Sequence, residues 1–253
     1  MVYATGDCHA DWTKFSSKAF PEQKGMTRDD YVIVCGDFGI WSDTPQERHW
    51  LDWLEEKNFT LCFVCGNHEN FDRLYSDEFP VVDFHGGKAH KIRENIYHLM
   101  RGYIFDLCGK KFYAFGGASS HDVNDGILEP GDYSCRRDLI MDYKIRTSMG
   151  QMLRINHISW WKEEIPTQEE MDFGWQTLKN NNYKVDYIIT HCCPQHIADI
   201  ISDGFYKTDR LTEWFDFVSN NVTFTAWLFG HYHDDKKIEK NYFLLYDQFV
   251  KIL

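Results

Sequence analysis

Five apolar segments of this chain each run into a short group of Asp, Asn and His residues, the types that ligate divalent metals in proteins. A buried strand that stops at glycine and then presents such a side chain places it along one edge of a sheet. Open α/β sheets bind their ligands at that edge. Because five such junctions occur in one chain, they predict a metal centre. The groups are Gly6-Asp7-Cys8-His9, Gly36-Asp37, Gly66-Asn67-His68-Glu69, Thr190-His191 and Gly230-His231-Tyr232-His233.

The chemistry that fits these residues is hydrolysis at a pair of metal ions, which together need roughly seven protein ligands. Mixed Asp and His donors suit Mn²⁺, Fe²⁺, Zn²⁺, Co²⁺ or Ni²⁺ and not an all-oxygen Ca²⁺ cage. Asp37 is a short carboxylate at a predicted strand end and fits the position shared by both ions. His231 and His233 are two residues apart, so in an extended segment they face the same way and could serve different ions. The predicted ligands are Asp7, His9, Asp37, Asn67, His191, His231 and His233.

Length and charge limit the class of protein. The 253 residues fit one large domain or two small ones, and 43% hydrophobic residues can fill a deep core. A formal charge of −12 disfavours long nucleic acid and anionic membranes as partners. No apolar run is long enough to span a bilayer, and the chain enters a strand directly at Val2, so we expect a cytoplasmic protein. The eight cysteines are expected to be reduced thiols.

The elements that must position these residues alternate between strand and helix in the first third of the chain, which favours parallel strands with helices on both faces. Capping-box patterns at Thr44–Glu47 and Thr167–Glu170 predict helix starts. Residues 103–115 predict a hairpin around Cys108-Gly109-Lys110. The last two apolar segments, Phe243–Tyr246 and Phe249–Ile252, predict a closing hairpin.

Residues 116–165 are polar, turn-rich and weakly periodic. A loop of that length in a compact domain is usually functional. We therefore expect one domain over residues 1–253 with a substrate-facing insertion at 116–165. Within it, His121 and Ser119 are candidates for the substrate pocket, and Arg136-Arg137 is expected to be a solvated basic cluster.

The ordered motifs resemble those of the calcineurin-like metallophosphoesterase superfamily across essentially the whole chain. The segments from Gly116 to Asp122 and from Ser159 to Glu164 are also similar to a group of small bacterial and phage metallophosphoesterases. The resemblance implies a four-layer α/β/β/α sandwich with mixed sheets. It also implies a metal-dependent phosphoric ester hydrolase with two divalent ions, of which Mn²⁺ is the expected one.

The resemblance further implies a role for each site residue. Asp7, His9 and His233 would hold one ion, Asn67, His191 and His231 the other, and Asp37 would bridge them. A hydroxide between the ions would attack phosphorus while Asn67 helps to neutralise the phosphoryl oxygens. His68 would protonate the leaving oxygen or help to stabilise the charge that develops there. Glu69 would orient a neighbouring group.

The substrate is less constrained by sequence. The Gly-His-x-His ending resembles phosphodiesterases, and Phe38-Gly39-Ile40 replaces the Asp-Arg with which protein phosphatases clamp a phosphomonoester. The expected substrate is therefore a small phosphodiester of the nucleotide or cyclic-nucleotide type. Hydrolysis of a phosphomonoester on a nucleotide, metabolite or phosphoprotein is the alternative. A non-catalytic scaffold and a nuclease are alternatives of other classes, and the sequence leaves the oligomeric state open.

Overall fold

The computed structural model describes residues 1–253 and contains fifteen strands. All five strands predicted to end at metal ligands are present. In chain order the strands are β1 Val2–Thr5, β2 Tyr31–Val34, β3 Thr60–Phe63, β4 Val81–Phe84, β5 Gly87–Arg93, β6 Ile96–Leu99, β7 Tyr103–Leu107, β8 Lys110–Phe115, β9 Ile127–Leu128, β10 Arg154–Ile155, β11 Tyr187–Thr190, β12 Ala226–Phe229, β13 Lys236–Ile238, β14 Tyr242–Leu244 and β15 Val250–Lys251.

Six α-helices and four short 3-10 helices connect the strands. The α-helices are α1 Pro45–Glu55, α2 Phe71–Leu74, α3 Arg136–Ser148, α4 Gln168–Asn180, α5 Gln195–Ser202 and α6 Arg210–Asn221. The 3-10 helices are Trp12–Phe15, Pro21–Gly25, Pro130–Asp132 and Lys162–Glu164. None of the helices is long and apolar enough to cross a membrane.

Two mixed sheets hold the strands that carry the site. The first has the order β15-β1-β2-β3-β6-β5-β4, in which β1, β2, β3 and β6 run parallel. The second has the order β13-β14-β12-β11-β8-β7, in which β14, β12, β11 and β8 run parallel. The predicted hairpin is confirmed, because β7 and β8 pair antiparallel with Phe105 opposite Phe112.

The core explains why the two sheets lie against each other. Within β2 of the first sheet, Ile33 belongs to an apolar cluster that also contains Phe112 and Ile189 of the second sheet. Its neighbours Val32 and Val34 belong instead to a cluster with helix α1. The alternation follows from the two-residue period of a strand, which sends successive side chains to opposite faces. The α/β class with mixed sheets is confirmed.

Both predicted helix starts are found, but only one has a complete capping box. Thr167 Oγ1 accepts a hydrogen bond from Glu170 N, and the Glu170 carboxylate accepts one from Thr167 N. Thr44 caps α1 in the same way through Glu47 N, but the Glu47 carboxylate does not return to it. It accepts from the N–H groups of the preceding loop and pairs with Arg73, because that loop turns back over the helix end.

Two sequence expectations are wrong. The closing segments do not form a hairpin: β14 joins the second sheet beside β12, whereas β15 pairs with β1 in the first sheet. β14 lies between β13 and β12 in the second sheet, whereas β15 is an edge strand of the first, so the final segment crosses from one sheet to the other. Residues 116–165 are also more ordered than a long loop, since they contain α3 and the parallel pair β9 and β10.

Candidate metal centre

The predicted ligands follow parallel strands whose carboxyl ends lie at neighbouring edges of the two sheets. Asp37 follows β2 in the first sheet, and His191 follows β11 in the second. His191 Nε2 lies 3.3 Å from Asp37 Oδ2, and His191 Nδ1 lies 3.9 Å from Asp7 Oδ1. The site is therefore formed where the two sheets meet, with four of its predicted ligands after strands of the first sheet and three after strands of the second.

One group of donors consists of Asp7, His9 and His233. The two imidazole Nε2 atoms lie 3.0 Å apart, and those of His233 and His9 lie 3.2 and 3.6 Å from Asp7 Oδ2. Asp7 Oδ2 is buried and accepts no well-formed hydrogen bond. A buried carboxylate oxygen without a partner is costly, and here several lone pairs converge beside it. These residues fit a divalent cation.

A second group consists of Asp7, Asp37 and His191, all of them buried. Asn67 belongs beside it, because its Oδ1 lies 3.2 Å from His191 Nε2. The ring of His231 lies 4.9 Å from that of His191 between centroids. The structure thus brings together all seven predicted ligands, whereas their division between two ions stays a prediction.

Backbone groups fix the orientation of both carboxylates. Asp37 Oδ1 accepts a hydrogen bond from His68 N at 2.8 Å, and Asp7 Oδ1 accepts one from His231 N at 3.0 Å. A Cβ atom added at Gly66 would lie 1.9 Å from Asp37 Oδ1. One at Gly230 would lie 2.1 Å from Asp7 Oδ1. Glycine is required at both positions because the backbone passes so close to the carboxylates.

Four of the predicted ligands have a backbone conformation in the left-handed region, which residues other than glycine rarely adopt. Such a conformation costs on the order of 1 kcal/mol or more and persists only where the surrounding fold imposes it. The sharp turn after each strand directs the side chain back toward the shared point. The residues are His9 (φ 48°), Asp37 (φ 47°), His231 (φ 72°) and His233 (φ 49°).

The electrostatics of the site favour positive charge. Burial opposes ionisation of Asp37, but the charge and hydrogen bond of His191 together with the charge of His68 lower the pKa of Asp37 to about 2. The pKa of Asp7 is lowered for the same reasons. Burial likewise opposes protonation of His191, but Asp37 and Asp7 raise its pKa to about 9. Two buried carboxylates hold a positive charge between them, which is the property a cation site requires.

His68 lies beside the ligands with a defined ring orientation. Its Nδ1 is 3.3 Å from a terminal nitrogen of Arg154, the first residue of β10. A guanidinium can only donate, so Nδ1 accepts and the proton of the neutral ring lies on Nε2. Burial lowers the pKa of His68, Asp37 opposes that shift, and Arg154 adds to it. His68 is therefore held as a neutral donor at Nε2.

Arg154 was not identified from the sequence, because no motif surrounds it. Its guanidinium forms a bidentate pair with Asp122, with nitrogen–oxygen distances of 2.6 to 2.9 Å. The planar fork matches the carboxylate and fixes the position of the guanidinium. Asp122 lies in the segment Gly116–Asp122, which resembles the small bacterial and phage group. This segment was the one feature of the sequence that could have pointed to Asp122 and its partner Arg154.

A buried chain of hydrogen bonds orients Asn67. Its Nδ2 donates to Ser120 Oγ at 3.1 Å, and Ser120 Oγ in turn donates to Glu164 at 2.6 Å. Burial raises the pKa of Glu164 to about 7, and the hydrogen bonds from Ser120 oppose the rise. Since the amide nitrogen is taken up by Ser120, Asn67 Oδ1 faces His191. Ser120 and Glu164 were also missed as individual residues, although both lie in the blocks quoted for the resemblance.

Glu69 holds the loop that follows Asp37. Its carboxylate accepts hydrogen bonds from the N–H groups of Phe38, Gly39 and Ile40 at 2.7 to 3.2 Å. Burial and then the charge of Asp37 raise the pKa of Glu69 to about 8, against these three donors. The predicted orienting role of Glu69 corresponds to this contact with the loop.

The two pocket candidates from residues 116–165 have different surroundings. His121 Nε2 lies 2.8 Å from His231 Nε2, and the His121 ring stacks on Tyr206. No contact of the Ser119 side chain with a ligand is found. Trp161 is buried, and its indole N–H donates to Asp72, which is a structural role.

Residues 1–235 match the family described as calcineurin-like phosphoesterase. That match covers well over half of the chain, and the chain belongs to this family, whose members are metal-dependent phosphoric ester hydrolases. No curated protein matches the chain significantly.

Proposed function

We propose that this chain hydrolyses phosphodiesters at a pair of divalent cations held by the seven predicted ligands. The convergence of His9, His233 and the unpartnered Asp7 Oδ2 supports the first cation position. The contacts of His191 with Asp37 and Asn67 support the second. Mn²⁺ is the proposed ion, with Fe²⁺, Zn²⁺, Ni²⁺ and Co²⁺ as alternatives that the mixed donor set also accepts.

The preference for a diester is supported by the lack of a lysine or arginine on the loop that follows Asp37. Lys14, which lies beside Asp7 without an ion pair, is taken up by the carbonyl oxygens of Gly6, Asp7 and Tyr246. The residues after Asp37 are Phe38, Gly39 and Ile40, whose N–H groups are bound to Glu69. Arg154 contacts His68, but its charge is paired with Asp122. A terminal phosphate carries roughly two negative charges at neutral pH, whereas a diester carries a single one. This site suits the smaller charge.

The protein side chains would each do a separate part of the reaction. When bound, the two cations would supply hydroxide near neutral pH and offset charge on the phosphoryl oxygens. Asn67, with its Nδ2 held by Ser120, would offer Oδ1 to the second cation. His68 would donate a hydrogen bond from Nε2 to the leaving oxygen and stabilise the charge that develops there, with Arg154 holding Nδ1. Glu69 would keep the Asp37 loop in place.

A paired assay tests the diester preference. Purified protein loaded with Mn²⁺ is given bis(p-nitrophenyl) phosphate and p-nitrophenyl phosphate, and kcat/KM is measured for each. We expect the diester to be hydrolysed with the higher kcat/KM. An Asp37→Asn variant from the same preparation controls for contaminating phosphatases. Equal or faster hydrolysis of the monoester would overturn the preference in favour of a phosphomonoesterase.

The remaining alternatives have their own outcomes. Turnover of neither ester by fully metal-loaded protein would indicate a non-catalytic scaffold. Salt-sensitive cleavage of a labelled oligonucleotide would indicate a nuclease. The proposed substrate is a small phosphate ester, and the proposed location is the reducing cytoplasm, where buried thiols such as Cys35 and Cys62 persist.

A further inference from the structure

A cavity of about 790 Å³ borders His68 and lies outside the ligand cluster. None of the seven ligands lines it. Its walls come mainly from the segment 116–165, including Arg136, Arg154 and Ile158, together with Trp41 from the first sheet's loops. The departing half of a substrate would lie in a cavity next to His68, because His68 acts on the departing oxygen.

The charge of this cavity is opposite to that of the protein. The chain has 39 acidic and 27 basic side chains, yet no Asp or Glu lines the cavity. Two arginines do. Arg154 is neutralised by Asp122, but Arg136, the first residue of α3, makes no ion pair or side-chain hydrogen bond. Arg136 and Arg137 are both exposed, as expected for a solvated basic cluster, but Arg136 also lines the cavity and Arg137 does not.

The apolar walls of the cavity suit a flat ring. Trp41 is 39% exposed, and its indole N–H donates to the carbonyl oxygen of His68 at 2.7 Å. This hydrogen bond fixes the indole beside His68. Ile158, also 39% exposed, and Tyr133 complete the apolar surface. An exposed indole held in place can stack on a nucleobase.

We propose that this cavity receives the leaving half of the substrate and that this half is a nucleotide with a phosphate of its own. The proposal rests on the diesterase function proposed above. The volume lies within the range of roughly 300–1,000 Å³ typical of small-molecule sites and exceeds what a nitrophenyl group needs. Trp41 would stack on the base, and Arg136 would bind the second phosphate.

The reaction itself is unchanged by this assignment. Water contributes a hydroxyl group to phosphorus, and the bond from phosphorus to the departing oxygen breaks. The second proton of that water goes to the departing oxygen, and the neutral His68 ring donates a hydrogen bond from Nε2 to this oxygen as its charge develops. Arg136 takes no part in bond making and acts through substrate binding alone.

The test uses dithymidine monophosphate and its two derivatives that carry one further phosphate at the 5′ or the 3′ end. With Mn²⁺-loaded protein, we expect one derivative to have about tenfold higher kcat/KM than the unphosphorylated form, since a charge-assisted contact is gained. Arg136→Ala and Arg136→Gln should both remove this advantage. Arg137→Ala is the matched control, because Arg137 is the next exposed residue of α3, and it should keep the advantage.

Equal hydrolysis of all three dinucleotides, or an advantage that survives in both Arg136 variants, would overturn the nucleotide assignment. So would failure to cleave any dinucleotide by protein that hydrolyses bis(p-nitrophenyl) phosphate. Failure to hydrolyse bis(p-nitrophenyl) phosphate at all would instead refute the proposed function. The two failures are therefore distinguishable in one set of measurements.

Discussion

Replacing Arg154 by methionine removes the donor to His68 Nδ1 while keeping much of the side-chain volume. In the structure this donor is 3.3 Å from Nδ1 and is fixed by Asp122. Without it, the His68 ring can turn and can carry its proton on either nitrogen. Only one of these arrangements presents Nε2–H to the leaving oxygen, so kcat should fall.

The size of the effect follows from the contact. A hydrogen bond to a charged group contributes about 1.5–3 kcal/mol, and the long distance places this one at the lower end. A loss of about 1.5 kcal/mol corresponds to roughly a tenfold lower kcat. Removal of His68 itself should cost about 10²–10³-fold, the usual cost of losing one hydrogen-bond donor to a developing oxyanion. Arg154→Met should therefore fall well inside that limit.

The assay is a double-mutant cycle on dithymidine monophosphate, because its departing alkoxide depends on His68 whereas p-nitrophenolate leaves readily without help. If Arg154 acts through His68, Arg154→Met should cost tenfold in the wild-type background and less than about twofold in His68→Ala. Bound Mn²⁺ is measured for each variant by elemental analysis, and Arg137→Met on α3 serves as an exposed control. An equal loss in both backgrounds would refute the reasoning, because Arg154 would then act on the substrate or the fold directly.

Three further predictions concern metal, loop and core. Dialysis against EDTA should abolish ester hydrolysis and lower the Tm by roughly 5–10 °C, because a tightly bound metal stabilises only the folded chain. Adding Mn²⁺ should restore both the activity and the Tm, as kinetics and a thermal scan would show. Glu69→Gln should lower the free energy of unfolding by about 2 kcal/mol through weakened backbone hydrogen bonds and reduce kcat less than Asp37→Asn, as urea titration and kinetics would show. Burial lowers the pKa of His90 to about 4, below its unfolded value of 6.5, so its contribution is complete above pH 6.5 and is lost as the pH falls toward 4. Between pH 7.5 and pH 5 this loss should reach about 2 kcal/mol; it should shrink in His90→Asn but not in the exposed control His49→Asn.

The sequence determined the strand ends because their signals are local. A buried apolar run, a glycine and a ligand residue occur within about ten residues, so β1, β2, β3, β11 and β12 could be predicted along with the residues that follow them. The helix cap at Thr167 is equally local, since its capping box involves only residues up to Glu170.

Contacts between distant segments were decided by the tertiary structure. Arg154 lies 86 residues after His68 in the chain, and Ser120 lies 53 residues after Asn67. No spacing rule relates such residues, because the segment between them can fold in many ways. The same reason explains the failed hairpin at the end of the chain: strand propensity identified β14 and β15, but the sheet that each one joins depends on the whole fold.

The sequence itself thus determined the residue types of the predicted metal ligands and the order in which they occur. The tertiary structure decided which hydrogen bonds orient these ligands, that Arg154 faces His68, and which cavity borders His68. The physical reason is that a strand end fixes a side chain within one turn of backbone, whereas a site is completed by packing between elements that are far apart in the chain.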